Sequence, residues 1–310
     1  MLYLSYLMIF INLVMALLSM AFYTLLERKI LGYIQLRKGP NKVSLSGVPQ
    51  PLGDALKLFI KEPIMPMHSN FSAFCFAPMM MLILILLMWS MYPYPTTPMF
   101  FTLGLLLFLC LSSLNVYSTL AAGWASNSKY ALLGAVRSIA QTISYEVSMA
   151  LILLTTLASI QTLDFNMMIT KQIFPLFIMM SPMMCIWFIT CLAETNRAPF
   201  DFVEGESELV SGFNIEYGGG GFALLFMAEY ASIIFMSMIT ASMFMVFNYQ
   251  MEMMMMILPM KISLFSAMFI WVRGGLPRLR YDRLMALTWK SILPFSICTL
   301  LTAFLTHMMF

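Results

Sequence analysis

The chain contains 310 residues, of which 61% are hydrophobic and only 10% are charged. This composition excludes an ordinary soluble globular protein, in which about a quarter of the residues are charged. The net charge of +3 is small, so the positions of the charges are more informative than their sum. We predict an all-α polytopic membrane protein in which residues 1–310 form a single membrane domain.

Long apolar runs predict eight transmembrane helices, because roughly 20 apolar residues cross about 30 Å of hydrocarbon as an α-helix. The first run has no basic segment before it and no small-residue cleavage site after it, so we expect it to be retained as a helix. The predicted spans are Leu2–Leu26, Phe71–Met91, Met99–Leu120, Ala131–Ile160, Ile173–Ala193, Phe222–Phe247, Met253–Val272 and Trp289–Met308.

Basic residues are concentrated in the connections that follow odd-numbered spans. Of the 17 lysines and arginines, all but Lys171, Lys261 and Arg137 lie in these connections or at their edges. The positive-inside rule predicts that these connections face the compartment of synthesis and that both termini face the opposite side. The connections comprise residues 27–70, 121–130, 194–221 and 273–288.

The first of these connections contains a short amphipathic pattern. Between Pro51 and Pro63, apolar residues from Leu52 to Ile60 recur at helical spacing. The pattern predicts a helix that lies at the membrane interface. Such a helix could simply anchor the connection, or it could line an entrance for an amphipathic ligand.

The chain lacks the residue patterns that hold redox centres or nucleotides. The five cysteines include no CxxC pair, and the two histidines, His68 and His307, lie far apart, so we predict no metal site and no electron transfer by this chain. Gly218–Gly221 precedes an apolar run rather than following a strand. We therefore interpret it as a flexible entry to the sixth span and not as a phosphate cradle.

Two predicted spans each contain a glutamate at depth. Glu146 is about 22 Å along the helix from Ala131, and Glu229 is about 10 Å from Phe222, at 1.5 Å per residue. A charge in hydrocarbon costs about 2.5–3.5 kcal/mol on insertion scales. These acids could be satisfied groups that hold helices together, or they could load and release protons.

The fourth span also carries a polar face. Arg137, Gln141, Ser144 and Tyr145 share one side of the predicted helix, which must face protein or water. Arg137 lies nearer the inner end, where its side chain could also reach the interface by snorkelling.

A cluster of acids follows the fifth span. Alternating glutamates repel one another, so some must be neutralised by cations or by protons. The surrounding aromatic residues favour a packed loop, and its proximity to Glu146 and Glu229 favours a proton relay. The acids of this loop are Glu194, Asp201, Glu204, Glu206, Glu208 and Glu216.

Five long motifs resemble one known family. They are ERKILGYIQLRKGPN, SNSKYALLGAVRSIAQTISYEV, AETNRAPFDFVEGESELVSGFNIEY, FMAEY and WVRGGLPRLRYDRLMALTWK. In content and order they resemble the core membrane subunit 1 of respiratory complex I, a proton-pumping NADH:ubiquinone oxidoreductase. The 34 methionines favour a mitochondrially encoded member.

The resemblance implies a subunit that forms part of a ubiquinone chamber and couples quinone reduction to proton translocation. Ubiquinone would be the substrate, and FMN and iron–sulfur clusters would belong only to partner subunits. The implied quinone-binding residues are Glu27, Arg28, Arg37, Asp54, Arg197, Phe226 and Arg273. The implied proton-relay residues are Glu146, Glu194, Asp201, Glu204, Glu206, Glu208, Glu216 and Glu229.

The resemblance also implies partners and a location. The partners would be other membrane-arm subunits, the quinone-reducing peripheral arm and lipids, without nucleic acid. The location would be the mitochondrial inner membrane, with the basic connections in the matrix and both termini in the intermembrane space.

Two alternative functions would make different demands on the sequence. A stand-alone proton or cation antiporter would need intramembrane charges on several helices and often an inverted repeat, which the sequence does not contain. A structural anchor of a related hydrogenase-type complex would not need the buried acids.

Overall fold

The computed structural model describes residues 2–94, 101–172, 174–201, 212–246 and 251–309, and every regular element within these ranges is helical. A 3₁₀ turn spans Gly212–Asn214, and a π-helical turn at Thr288–Ile292 joins the last two α-helices. The α-helices are α1 (Leu2–Ile34), α2 (Gln50–Ile60), α3 (Phe71–Trp89), α4 (Gly104–Ala125), α5 (Lys129–Ile160), α6 (Phe165–Lys171), α7 (Leu176–Met179), α8 (Ser181–Glu194), α9 (Gly219–Phe244), α10 (Met251–Gly275), α11 (Tyr281–Leu287) and α12 (Leu293–Met309).

Seven helices in the described ranges are long and apolar enough to cross a membrane. They coincide with seven of the eight predicted spans, and the all-α polytopic class is confirmed. Two bounds differ in a way that affects the site. Helix α1 continues to Ile34, so Glu27 and Arg28 lie on a helix, and α9 begins at Gly219, three residues before the predicted Phe222.

The fifth predicted span is not one continuous helix. Within its described part, α7 has four residues and α8 has 14, and 14 residues reach only about 21 Å. Two prolines explain the break: Pro175 precedes α7, and Pro182 occupies the first turn of α8. Proline lacks a backbone donor and disfavours helical geometry in the residue before it.

Helix α9 lies at the centre of the bundle, in contact with α1, α2, α3 and α10. Every residue from Ala228 to Phe244 except Ser232 is buried. A helix that is apolar on all sides is expected to be surrounded by protein. The acid Glu229 is therefore enclosed by other helices.

The predicted amphipathic helix is confirmed as α2, which packs against α1 and α9. Its apolar residues Leu56 and Ile60 are exposed. The beginning of α9 approaches the end of α2 so closely that a Cβ added to Gly219 would lie 2.9 Å from the carbonyl oxygen of Lys61. Gly219 also has a φ of +58°, so both space and backbone geometry require glycine there.

Candidate functional site

The carboxylate of Glu27 joins three helices and a loop. Its Oε1 forms an ion pair with Arg273 Nη1 of α10 and lies 3.5 Å from Arg197 Nη1 in the segment after α8. Its Oε2 accepts a hydrogen bond of 2.6 Å from the hydroxyl of Tyr230 on α9. The Glu27 side chain is 8% exposed. Two guanidinium groups therefore compensate one buried carboxylate, which leaves this cluster with an excess positive charge.

The polar face of α5 holds the Arg197 segment in place. The side-chain Nε2 of Gln141 donates to the carbonyl oxygens of Ala193 and Phe200, each at 2.9 Å. Because these carbonyls lie on either side of Arg197, one side chain fixes both ends of its segment. Gln141, Ser144 and Tyr145 are buried, which confirms that this face is turned into protein.

A cavity of about 420 Å³ lies next to Glu27, between α1, α2, α9 and α10. Its walls are largely apolar, and the charged residues that line it include the Arg28–Asp54 ion pair of 2.7 Å. The volume falls within the range of small-molecule sites, about 300–1,000 Å³. Of the seven predicted quinone-binding residues, those that line this chamber are Glu27, Arg28, Asp54, Phe226 and Arg273.

The other two predicted quinone-binding residues lie elsewhere. Arg197 is outside the lining but contacts two residues of the chamber, because its guanidinium lies 4.5 Å from the centroid of the Tyr230 ring as well as beside Glu27. The Arg37 side chain is exposed, in the connection beyond α1. The structure does not bring Arg37 to the chamber.

A second, smaller cavity is lined by two of the predicted relay acids. It has a volume of about 40 Å³, and both Glu194 and Glu229 line it. A water molecule needs roughly 10–15 Å³ of this kind of volume, so about three waters fit. Glu146 of α5 lies beside Ser112, which also lines the cavity, and it is close enough to Glu194 for the two carboxyls to interact. We call this space the carboxylate cavity.

Glu194 is the last residue of α8 and lies outside the seven membrane-length helices. Its Oε2 atom is inaccessible and has no hydrogen-bond partner among the described residues. Burial raises the pKa of Glu194 to about 8, and the neighbouring carboxyl of Glu146 adds to the increase. Glu194 can therefore exchange a proton near physiological pH.

The remaining predicted acids are distributed around the end of α8 and the beginning of α9. Asp201 and Glu216 are half-buried, and neither lines the carboxylate cavity. Glu204, Glu206 and Glu208 lie outside the described residues.

Sequence reasoning did not assign a role to Tyr230 or Gln141. Tyr230 completes the Glu27 cluster, and Gln141 holds the Arg197 segment. The available signals were the position of Tyr230 directly after Glu229 and the place of Gln141 on the polar face of α5.

The fold and the two cavities define a polytopic α-helical membrane protein with buried ionisable groups. Residues 7–304 match the family described as NADH dehydrogenase. A protein of Aedes aegypti is 54% identical over 280 residues, which cover 90% of this chain and 88% of that protein. A protein of Heterololigo bleekeri is 54% identical over 285 residues (92% and 91%), and one of Branchiostoma lanceolatum is 48% identical over 303 residues (97% and 95%).

All three relatives carry the name NADH-ubiquinone oxidoreductase chain 1. The chain belongs to this family, which confirms the resemblance drawn from the five motifs. It is a membrane subunit of an enzyme complex and a multi-pass protein of the mitochondrial inner membrane.

Proposed function

We propose that the chamber beside Glu27 admits ubiquinone, and that the carboxylate cavity begins a proton relay that couples quinone reduction to proton translocation. FMN and iron–sulfur clusters would belong to partner subunits of the peripheral arm. The chain itself would supply the chamber wall and the proton-exchanging groups.

The chamber suits an amphipathic substrate. Its apolar wall, formed in part by Met20, Phe222 and Phe226, would accommodate an isoprenoid tail. Glu27 and Arg273 would bind the polar headgroup. The excess positive charge that the two arginines give this cluster would favour the negative charge that develops on a quinone during reduction.

The observation that carries the relay is the shared cavity of Glu194 and Glu229, with Glu146 beside it. Proton transfer requires donor and acceptor to be within hydrogen-bond reach, directly or through one water. The carboxylate cavity is large enough for such waters. A charged carboxylate at this depth is costly unless a proton or a cation neutralises it.

The test replaces Glu229 or Glu146 with Gln in the intact complex. Both variants should lose most quinone-dependent NADH oxidation and proton pumping together. Reduction of hexacyanoferrate by NADH, which does not use the quinone site, should persist and serves as the control for assembly. Normal turnover and pumping in both variants would instead favour a structural anchor.

The proposed sidedness puts the basic connections in the matrix and both termini in the intermembrane space. The basic and acidic connections would then face the peripheral arm. An epitope fused to the N-terminus should be cleaved by protease in mitoplasts with intact inner membranes. Protection of the epitope there, with cleavage only in inverted vesicles, would reverse this orientation.

A further inference from the structure

Helix α9 separates the two cavities and contributes consecutive residues to them. Tyr230 lines the chamber, whereas Glu229 lines the carboxylate cavity. Successive residues on a helix point about 100° apart, so neighbours in sequence can serve spaces on different sides of the helix. The backbone of α9 therefore links the two cavities directly.

The segment after α8 makes a second link between the same cavities. Glu194 lines the carboxylate cavity, and Arg197, three residues later, lies 3.5 Å from Glu27 in the chamber. The two links meet where the Arg197 guanidinium rests on the Tyr230 ring at 4.5 Å. Arg197 and Tyr230 are both buried, so the contact is shielded from solvent and its electrostatic part is strong.

Tyr230 contacts both the carboxylate of Glu27 and the guanidinium of Arg197. Its hydroxyl binds Glu27 Oε2 at 2.6 Å, while Arg197 and Arg273 both approach Glu27 through Oε1. Its ring supports the Arg197 guanidinium. One side chain thus orients the carboxylate in the chamber and holds the cation that lies between the chamber and Glu194.

We infer that Tyr230 is a positioning residue that keeps the Arg197 charge beside Glu27 and so links the charge state of the chamber to the carboxylate cavity. This inference rests on the proposed function of the two cavities. A change of charge in the chamber alters the attraction that Arg197 experiences. Because Arg197 shares a short, anchored segment with Glu194, that change is transmitted to the acids of the carboxylate cavity.

The test separates the hydroxyl of Tyr230 from its ring. Tyr230→Phe removes the hydroxyl and its hydrogen bond to Glu27 but keeps the ring, whereas Tyr230→Leu also removes the surface on which Arg197 rests. Tyr23→Phe is the matched control, because Tyr23 packs edge-on against Tyr230 at 5.7 Å but donates to the backbone of Ser266. All three are measured in the intact complex, normalised to NADH:hexacyanoferrate activity.

Tyr230→Phe should raise the KM for a short-chain ubiquinone by about tenfold, because it loses a hydrogen bond to a charged group. The number of protons pumped per NADH should not change. Tyr230→Leu should show the same KM and also a lower proton-to-NADH ratio. Tyr23→Phe should match the wild type in both. If Tyr230→Leu does not assemble, the KM of Tyr230→Phe decides.

The KM of Tyr230→Phe should exceed that of Tyr23→Phe by about tenfold. A difference of no more than about twofold between the two variants would overturn the inference. An unchanged proton-to-NADH ratio in Tyr230→Leu would also overturn it. Either result is distinct from failure of the proposed relay, which is reported by the Glu229→Gln and Glu146→Gln variants.

Discussion

Glu27 on α1 and Arg273 on α10 form an ion pair across 246 positions of the sequence. The pair connects the first membrane helix to the last turn of α10 and borders the chamber. Its position makes it part of both the stability of the bundle and the candidate substrate site.

Replacing Glu27 with Gln should destabilise the subunit and impair quinone reduction. The change leaves Arg197 and Arg273 without their shared counter-charge, and breaking a buried pair in this way costs about 3–5 kcal/mol. Since Arg273 is 33% exposed, we expect the lower end of that range. The measurements are the thermal-inactivation midpoint of the complex and its quinone-dependent NADH oxidation.

The control for this prediction is Asp282→Asn, which breaks an ion pair whose two side chains are 78% and 70% exposed. Exposed pairs contribute at most about 1 kcal/mol, so this variant should retain wild-type stability. Equal losses in the two variants would contradict a special role for the Glu27 pair.

Asp54→Asn should affect substrate binding more than stability. Its partner Arg28 is 54% exposed, so solvent weakens the pair to less than about 1 kcal/mol. Both residues line the chamber, and the uncompensated Arg28 would change its charge. We expect a severalfold change in the KM for ubiquinone analogues with a thermal-inactivation midpoint close to wild type.

Gly219→Ala and Gly220→Ala should have opposite effects on stability. Alanine at position 219 meets a positive φ and the Lys61 carbonyl oxygen, at a cost of roughly 1–2 kcal/mol from the backbone alone. A Cβ at Gly220 meets no atom of the described residues within 4 Å, so alanine there should stabilise the helix by about 0.5–1 kcal/mol. Thermal inactivation of the two variants compares them directly, and a stable Gly219→Ala would contradict the close approach of α2 and α9.

Glu194→Gln should change how stability depends on pH. The folded protein holds the Glu194 proton up to a pKa of about 8, above the ordinary value of 4.5. The folded state therefore binds more protons than the unfolded chain, and this group's contribution to stability is lost as pH rises from about 4.5 to about 8. The thermal stability of the variant relative to wild type should therefore increase as the pH rises from 6 to 9. A difference between the two proteins that does not change with pH would contradict the raised pKa of Glu194.

The same substitution should alter the pH profile of turnover. If Glu194 relays protons, quinone-dependent activity in the wild type should fall as the pH passes about 8. The Glu194→Gln variant should have low activity and should not show this decrease above pH 8. A variant with full activity and the same decrease would exclude Glu194 from the relay.

Much of the membrane architecture follows from local sequence patterns. Apolar runs predicted eight spans, of which seven are membrane-length helices in the described residues, and the spacing from Leu52 to Ile60 predicted α2. Hydrophobic length and periodicity are properties of a single segment, so they can be read locally. The break before α8 was also encoded locally, by Pro175 and Pro182, but a count of apolar residues does not register the missing backbone donor of proline. Helix α1 continues to Ile34, beyond the apolar run that ends at Leu26, because the length of an apolar run marks the membrane-embedded part and not the end of the helix.

Composition, apolar runs and motifs are enough to specify the membrane class, the family and the presence of acids at lipid depth. Which charges meet depends on helix packing. Glu27, Arg197 and Arg273 share one cluster that Tyr230 joins, and Glu194 and Glu229 line a common cavity. Helix periodicity specifies the face on which a residue lies, whereas its partner depends on how α1, α8, α9 and α10 pack. Those contacts connect residues far apart in the chain, and no local pattern specifies them.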